Sequence, residues 1–213
     1  MTTTITLARH GRTAWHEGNR YTGSSDVGLD DVGHQQAAAL AAAQRGADVP
    51  DALYASDLLR AQQTAAAVAA VTGLAVHTDP RLRELDFGAA EGRTLAQLRA
   101  ADPDAVAAFE HDPVAHHHPG GEHPEAAADR AQRALLDVVD RHPDQNVLVI
   151  CHNTLMRLLV CRLTGIPMRT YRTALRGPEP TATTRLAFGA GGTVTLDHYN
   201  HAVSLDHYNR TAS

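Results

Sequence analysis

The chain has no lysine: all nineteen basic residues among its 213 are arginine. Chemistry that needs a lysine amine, such as a pyridoxal Schiff base or a GKS/GKT phosphate loop, is therefore excluded. Cysteine is nearly as scarce. Cys151 and Cys161 are the only two; they cannot build a disulfide framework, so a reduced, cytoplasmic protein is expected. Nine aromatic residues and a formal charge of −5 leave no broad basic face with stacking rings, so nucleic acid is not an expected partner. No segment approaches the ~20 apolar residues that a membrane helix needs, so a membrane is not expected either. The opening MTTTITLARHG is short, is broken by threonine, and reads as a strand rather than as the apolar centre of a signal peptide.

What is present suits one globular domain spanning 1–213, since 43% of residues are apolar and 20% charged. Thr4 to Ala8 alternates polar and apolar, while Asn146 to Ile150 (NVLVI) is nearly all apolar, as in a parallel strand covered on both faces. Shorter strands are expected at Leu53 to Ser56 and Leu74 to His77. A hairpin is expected from Thr183 to Phe188 and Thr193 to Leu196 across GAGG. Alanine-rich helices are expected at Val32 to Arg45, Asp57 to Thr72 and Glu125 to Arg141. A fourth, Leu155 to Leu163, stops before Gly165. The alternation predicts an α/β fold, a three-layer α/β/α sandwich with a mostly parallel central sheet. The stretch at about 94–124 carries Pro103, Pro113, Pro119, Pro124 and His116-His117-His118, and reads as a small lid insertion with little strand character. LDHYN occurs at Leu196 to Asn200 and again at Leu205 to Asn209. One copy is expected to close the last strand and the other to belong to a loose tail at about 201–213.

In open α/β sheets ligands gather beyond the carboxyl ends of the strands. Three such ends carry related chemistry. The first runs into Arg9-His10-Gly11, the second into Ser56-Asp57 and a helix bearing Arg60 in its first turn, and NVLVI into Cys151-His152-Asn153-Thr154. Arginine's planar fork binds phosphate oxygens, and the free N–H groups of a helix N-terminus add donors. A neutral histidine in that cradle can attack phosphorus, and neighbouring arginine cations favour the neutral form. Glu84, within Arg83-Glu84-Leu85-Asp86, is the candidate acid for the leaving alkoxide.

These residues resemble the histidine phosphatase superfamily, the phosphoglycerate-mutase-like family, in its cytosolic branch. Leu7 to Trp15 (LARHGRTAW) is similar to its RHG signature. Arg20 to Gly23, Asp26, Leu29 and Gly33 to Ala37 match its following spacings, and Tyr54 to Ala61 with Thr64 resembles its S-x-L-x-R-A-x-x-T segment. Leu82 to Gly92 is similar to the acid-bearing segment, and Pro119 to Glu122 to the motif before the long helix. The resemblance implies a phospho-histidine mechanism needing no metal or other cofactor. His10 would be the nucleophile, Glu84 the proton donor and then the base, and Arg9, Arg60 and His152 the holders of the phosphoryl oxygens. His16, Thr22 and Asn153 are further candidates for substrate contact. Three departures stand out: His16 replaces an asparagine that touches the phosphate, Cys151-His152-Asn153 replaces S-H-G, and His123 stands where serine is common. The implied activity is hydrolysis of a small phosphomonoester, by a protein whose family is compatible with a homodimer. The alternatives are a phosphoglycerate-mutase-type phosphotransferase and a non-catalytic phosphate-binding module. The lid histidines, His111, His116, His117, His118 and His123, are candidates for a substrate's carboxylate or second phosphate, or for an adventitious metal.

Overall fold

The computed structural model describes residues 2–44 and 49–203. Six strands form one sheet in the order β3-β2-β4-β1-β5-β6. They are β1 (Thr3–Arg9), β2 (Ala52–Ala55), β3 (Val76–Thr78), β4 (Asn146–Cys151), β5 (Thr183–Phe188) and β6 (Val194–His201). The pairings β2·β3, β2·β4 and β1·β4 are parallel, while β5 runs antiparallel to both β1 and β6. The sheet is mostly parallel, as expected. β6 reaches further than Leu196 and takes in the first LDHYN copy; the second copy, like the expected end of the first helix at Arg45, lies outside the described residues.

Side-chain alternation along the central strands divides the core into two. Ile5, Leu7, Ala52, Tyr54, Val147, Val149 and Cys151 face one cluster, which the helices α5 (Pro124–Arg141) and α6 (Asn153–Thr164) cover. Ala8, Leu53, Ala55, Leu148 and Ile150 face the other, covered by α1 (Asp31–Ala43) and α2 (Leu59–Thr72). A strand buried on both faces needs apolar side chains on both, which is why NVLVI shows no alternation. The three layers follow from this division. Alanines make close approach possible: α5 buries Ala127, Ala131, Ala134, Leu135 and Val138, a helical stripe of mostly small side chains. Gly73 and Gly165 end α2 and α6 in the left-handed conformation, at φ 75° and 77°.

The stretch 94–124 contains no strand but is more regular than an insertion loop. It holds α3 (Leu95–Ala101) and α4 (Pro103–His111). Thr94 caps α3 in a capping box with Gln97, and Asp102 caps α4, accepting from the Ala105 N–H at 2.9 Å. Pro103 and Pro124 each occupy the first position of a helix, where the missing N–H costs nothing. A short helix α7 (Tyr171–Ala174) completes the set.

Candidate active site

The order β2-β4-β1 puts the three chemistry-bearing strand ends side by side, with Ala55 opposite Ile150 and Cys151 opposite Arg9. His10 follows β1, and its backbone N–H donates to the Cys151 carbonyl at 3.0 Å. The turn after it is tight. A Cβ on Gly11 would lie 2.5 Å from the Gly33 carbonyl oxygen, and one on Gly33 only 2.0 Å from the Arg12 oxygen. The two glycines thus let the His10 turn press against α1. The Gly11 N–H donates to Thr64 Oγ1 at 3.1 Å, and Thr64 donates to the Arg60 carbonyl at 2.8 Å.

The His10 ring is buried, with Nδ1 2.7 Å from the Gly11 carbonyl oxygen. That oxygen only accepts, so Nδ1 carries the proton and the Nε2 lone pair is free. Burial, then the charge of Arg60, holds the His10 pKa well below its ordinary value. A neutral ring with a free Nε2 lone pair is the nucleophilic form.

Around it stand buried donors without partners. The Arg9 terminal nitrogens donate to Pro178 O at 2.7 Å and to His16 Nε2 at 2.5 Å, leaving Nε free. Arg60, fully buried, donates to the carbonyls of Ser25, Gly23 and Thr22, again leaving Nε unpaired. His152, the N-cap residue of α6, is fully buried with neither ring nitrogen partnered, 5.2 Å from His10 between ring centres. Its pKa is also driven well down, chiefly by burial and then by Arg60. Arg9 is lowered to about 10 by burial and keeps its charge at neutral pH.

Glu84 lies at the start of α6. Its Oε2 accepts from the Thr154 N–H at 2.8 Å, and its Oε1 from Leu155 and Leu85 at 2.9 Å each. The helix end thus holds a carboxylate beside His152. Thr22 contributes its carbonyl to Arg60 and turns its hydroxyl to the Arg20 carbonyl, 3.0 Å away. Asn153 is the first helical residue of α6, and its buried Oδ1 is unpartnered. His16 accepts from Arg9 at Nε2, and its Nδ1 accepts from the Thr13 N–H at 3.1 Å with Thr13 Oγ1 3.0 Å away. Both its ring nitrogens are engaged, and burial followed by the Arg9 charge lowers its pKa to about 4. Within the protein it touches Arg9, Thr13 and the His10 ring, whose centre is 5.8 Å from its own.

A cavity of about 220 Å³ opens on this group, lined by Arg9, His10, His16, Thr22, Glu84 and Asn153 among others. Leu95 of the 94–124 stretch lines it, but none of the five histidines of that stretch does. His118 instead stacks on Phe109 with ring centres 4.3 Å apart, and His123 caps α5, its Nδ1 accepting from the Glu125 N–H at 3.3 Å. No cluster of three or more metal-ligating side chains occurs among the described residues.

Several residues shaping the site were not singled out by the sequence pattern, although Glu91 and Glu122 fall within Leu82 to Gly92 and Pro119 to Glu122. Arg130 of α5 grips Glu122 with two bonds of 2.7 and 2.8 Å and donates to the Arg81, Arg83 and Glu84 carbonyls. Glu91 accepts from the N–H groups of Gly23, Ser24, Ser25 and Phe87, organising the loop whose carbonyls hold Arg60. Arg157 and Arg172 line the cavity as well. Arg157 was open to detection as a lone charge within the apolar helical run LMRLLV; Arg172, on a four-residue helix, had no such signal.

The family model of the histidine phosphatase superfamily (branch 1) matches residues 5–201. A metal-independent phosphoserine phosphatase of Arabidopsis thaliana is 33% identical over 76% of this chain and 69% of its own. A probable phosphoglycerate mutase of Erwinia tasmaniensis is 32% identical over 79% of this chain and 78% of its own. Among solved structures, mycobacterial glucosyl-3-phosphoglycerate phosphatase superposes with a TM-score of 0.86 at 30% identity, covering 95% of this chain and 100% of that one.

Proposed function

Because the chain belongs to branch 1 of the histidine phosphatase superfamily, we propose that it is a phosphoric monoester hydrolase. It acts on a small organic phosphate through a phospho-histidine intermediate, without a metal. The observation that carries this reading is the set of buried, unpartnered donors around a free His10 Nε2: Arg9 Nε, Arg60 Nε and the His152 ring. Buried polar groups are normally paired, and a phosphoryl group would supply the missing acceptors.

The steps follow from the site. His10 Nε2 attacks phosphorus and the bond to the ester oxygen breaks. Arg9, Arg60 and His152 stabilise the charge on the three equatorial oxygens. Glu84 is the acid of the first step, giving a proton to the departing alkoxide, and its carboxylate then takes one from the incoming water. Water then attacks the phospho-histidine, releasing inorganic phosphate and restoring His10 with its free Nε2. The Nδ1–H bond to the Gly11 carbonyl keeps the ring aimed and in one tautomer throughout.

Relatives named as phosphatases support water, rather than a second substrate oxygen, as the acceptor. The test is phosphate release from a panel of small phosphomonoesters in chelator, comparing the wild type with His10→Ala. Release that requires His10 is the expected result. Activity in a folded His10→Ala protein, or activity abolished by chelator, would refute the mechanism.

A further inference from the structure

The sequence of the last strand occurs twice in the chain. β6 reads VTLDHYNH over Val194–His201, and VSLDHYNR follows over residues 203–210. The two differ only where Ser204 stands for Thr195 and Arg210 for His201. Thr195 and His201 are both exposed on β6, so the second copy keeps every residue that the strand half-buries.

Those residues hold part of the candidate site in place. Val194, Leu196 and Tyr199 pack against the core cluster that α6 covers. The Tyr199 hydroxyl donates to the Arg176 carbonyl, and Asn200 Oδ1 accepts from the Glu179 N–H at 2.9 Å. Asn200 also adopts a left-handed backbone, at φ 53°, which asparagine tolerates better than most residues. The stretch 175–181 fastened in this way is the one that aims Arg9. Its Pro178 carbonyl accepts from the Arg9 guanidinium at 2.7 Å, and its Thr181 N–H donates to the Arg9 carbonyl at 3.0 Å. Leu205, Tyr208 and Asn209 repeat the fastening residues at unchanged spacing.

β6 is also open to exchange. It lies at the edge of the sheet and pairs with β5 alone, and register shifts interrupt that ladder on both sides of Arg185. The connection from β5 is the glycine-rich stretch 189–193. Putting the second copy in the place of the first lengthens this connection to 189–202, which loop-closure entropy disfavours by only about fivefold. We propose that residues 203–210 are an interchangeable β6: either copy pairs with β5 and fastens the 175–181 stretch, with the first favoured by about that factor. An opening or a lesion in one copy then leaves Arg9 held by the other. The inference goes beyond the phosphatase reading and does not depend on what reacts at His10.

Thermal unfolding of full-length variants tests the exchange. Leu196→Asp with Tyr199→Asp disables the first copy, and Leu205→Asp with Tyr208→Asp the second. Because the second copy can replace the first at about a fivefold disadvantage, the first lesion should lower Tm by only about 2–4 °C. The second lesion should leave Tm unchanged, and all four substitutions together should lower it by about 10 °C or more. A first lesion as damaging as the quadruple variant, or a quadruple variant as stable as the wild type, would overturn the proposal. Disulfide trapping reads the exchange with both copies otherwise intact. Ala187 lies opposite Thr195 in the β5·β6 ladder, so Ala187→Cys should crosslink with Thr195→Cys in one register and with Ser204→Cys in the other. Leu205→Cys, which the exchanged register puts on the opposite face, should crosslink at least about tenfold more slowly than Ser204→Cys. No crosslink through Ser204→Cys, or equal rates through Ser204→Cys and Leu205→Cys, would also overturn it.

Discussion

Arg130→Met removes the clamp behind the proposed acid without touching the cavity. Arg130 makes five hydrogen bonds, two to Glu122 and one each to the Arg81, Arg83 and Glu84 carbonyls. Breaking a fully buried charged pair by removing one partner costs about 3–5 kcal/mol. Here the two side chains are 18% and 24% exposed, so water re-solvates part of Glu122 and the expected loss is about 2–3 kcal/mol. For a domain of this size that is a fall in Tm of about 5–10 °C. The Glu84 carboxylate keeps its bonds to Thr154 and Leu155, so it should be displaced rather than lost. Turnover of alkyl phosphates should then fall about 10- to 100-fold, within the usual range for a weakened acid. Aryl phosphates, whose leaving groups need less protonation, should fall less. The assays are thermal unfolding and kcat for a matched alkyl and aryl pair. A Tm loss with equal slowing of both esters would refute the link from Arg130 to Glu84 and leave a purely structural clamp.

Three further outcomes follow from the same geometry. Glu84→Gln should slow alkyl esters far more than aryl esters, by about 10²- to 10⁴-fold for the former, and equal slowing in steady-state kinetics would remove Glu84 as the acid. Gly33→Ala should destabilise by about 1–3 kcal/mol in urea unfolding, because its Cβ would sit 2.0 Å from the Arg12 carbonyl oxygen; an unchanged midpoint would contradict the close approach. His10 and His152 have folded pKa values depressed below the ordinary 6.5, so below that pH the unfolded chain binds protons the native state does not. Stability should therefore be present above pH ~6.5 and be lost as pH falls, by about 1.4 kcal/mol per pH unit for each histidine. His10→Ala should flatten the slope by one proton, and a slope unchanged in that variant would mean that His10 titrates normally.

The sheet and the strand-end chemistry were legible because they depend on local patterns. NVLVI had to be doubly covered, and Arg9-His10, Arg60 and His152 sit where strands end, which the order β2-β4-β1 brings together. The first LDHYN copy also closes the last strand, within β6. The 94–124 stretch was harder, because its prolines suggested interruption. Two of them, Pro103 and Pro124, instead begin helices, and distinguishing these uses requires the caps before them. None of the lid histidines lines the cavity: His118 packs on Phe109 and His123 caps a helix, while Arg157 and Arg172 occupy the cavity wall. Those arginines, like Arg130, lie far in sequence from the residues they meet, which no local pattern encodes. His16, expected near the phosphate from its position in the motif, lines the cavity 5.8 Å from His10 between ring centres, with its ring nitrogens bonded to Arg9 and Thr13.

The central claim is that His10 Nε2 carries the phosphoryl group. It is tested most directly by intact-mass and peptide analysis of protein quenched during turnover, under conditions that preserve phosphoramidates, in wild type and in Glu84→Gln. One added phosphoryl group on the peptide containing His10, labile to acid and enriched in the Glu84→Gln protein, is the predicted result. Turnover with no phosphorylated species at His10, or a phosphoryl group on another residue, would contradict the account.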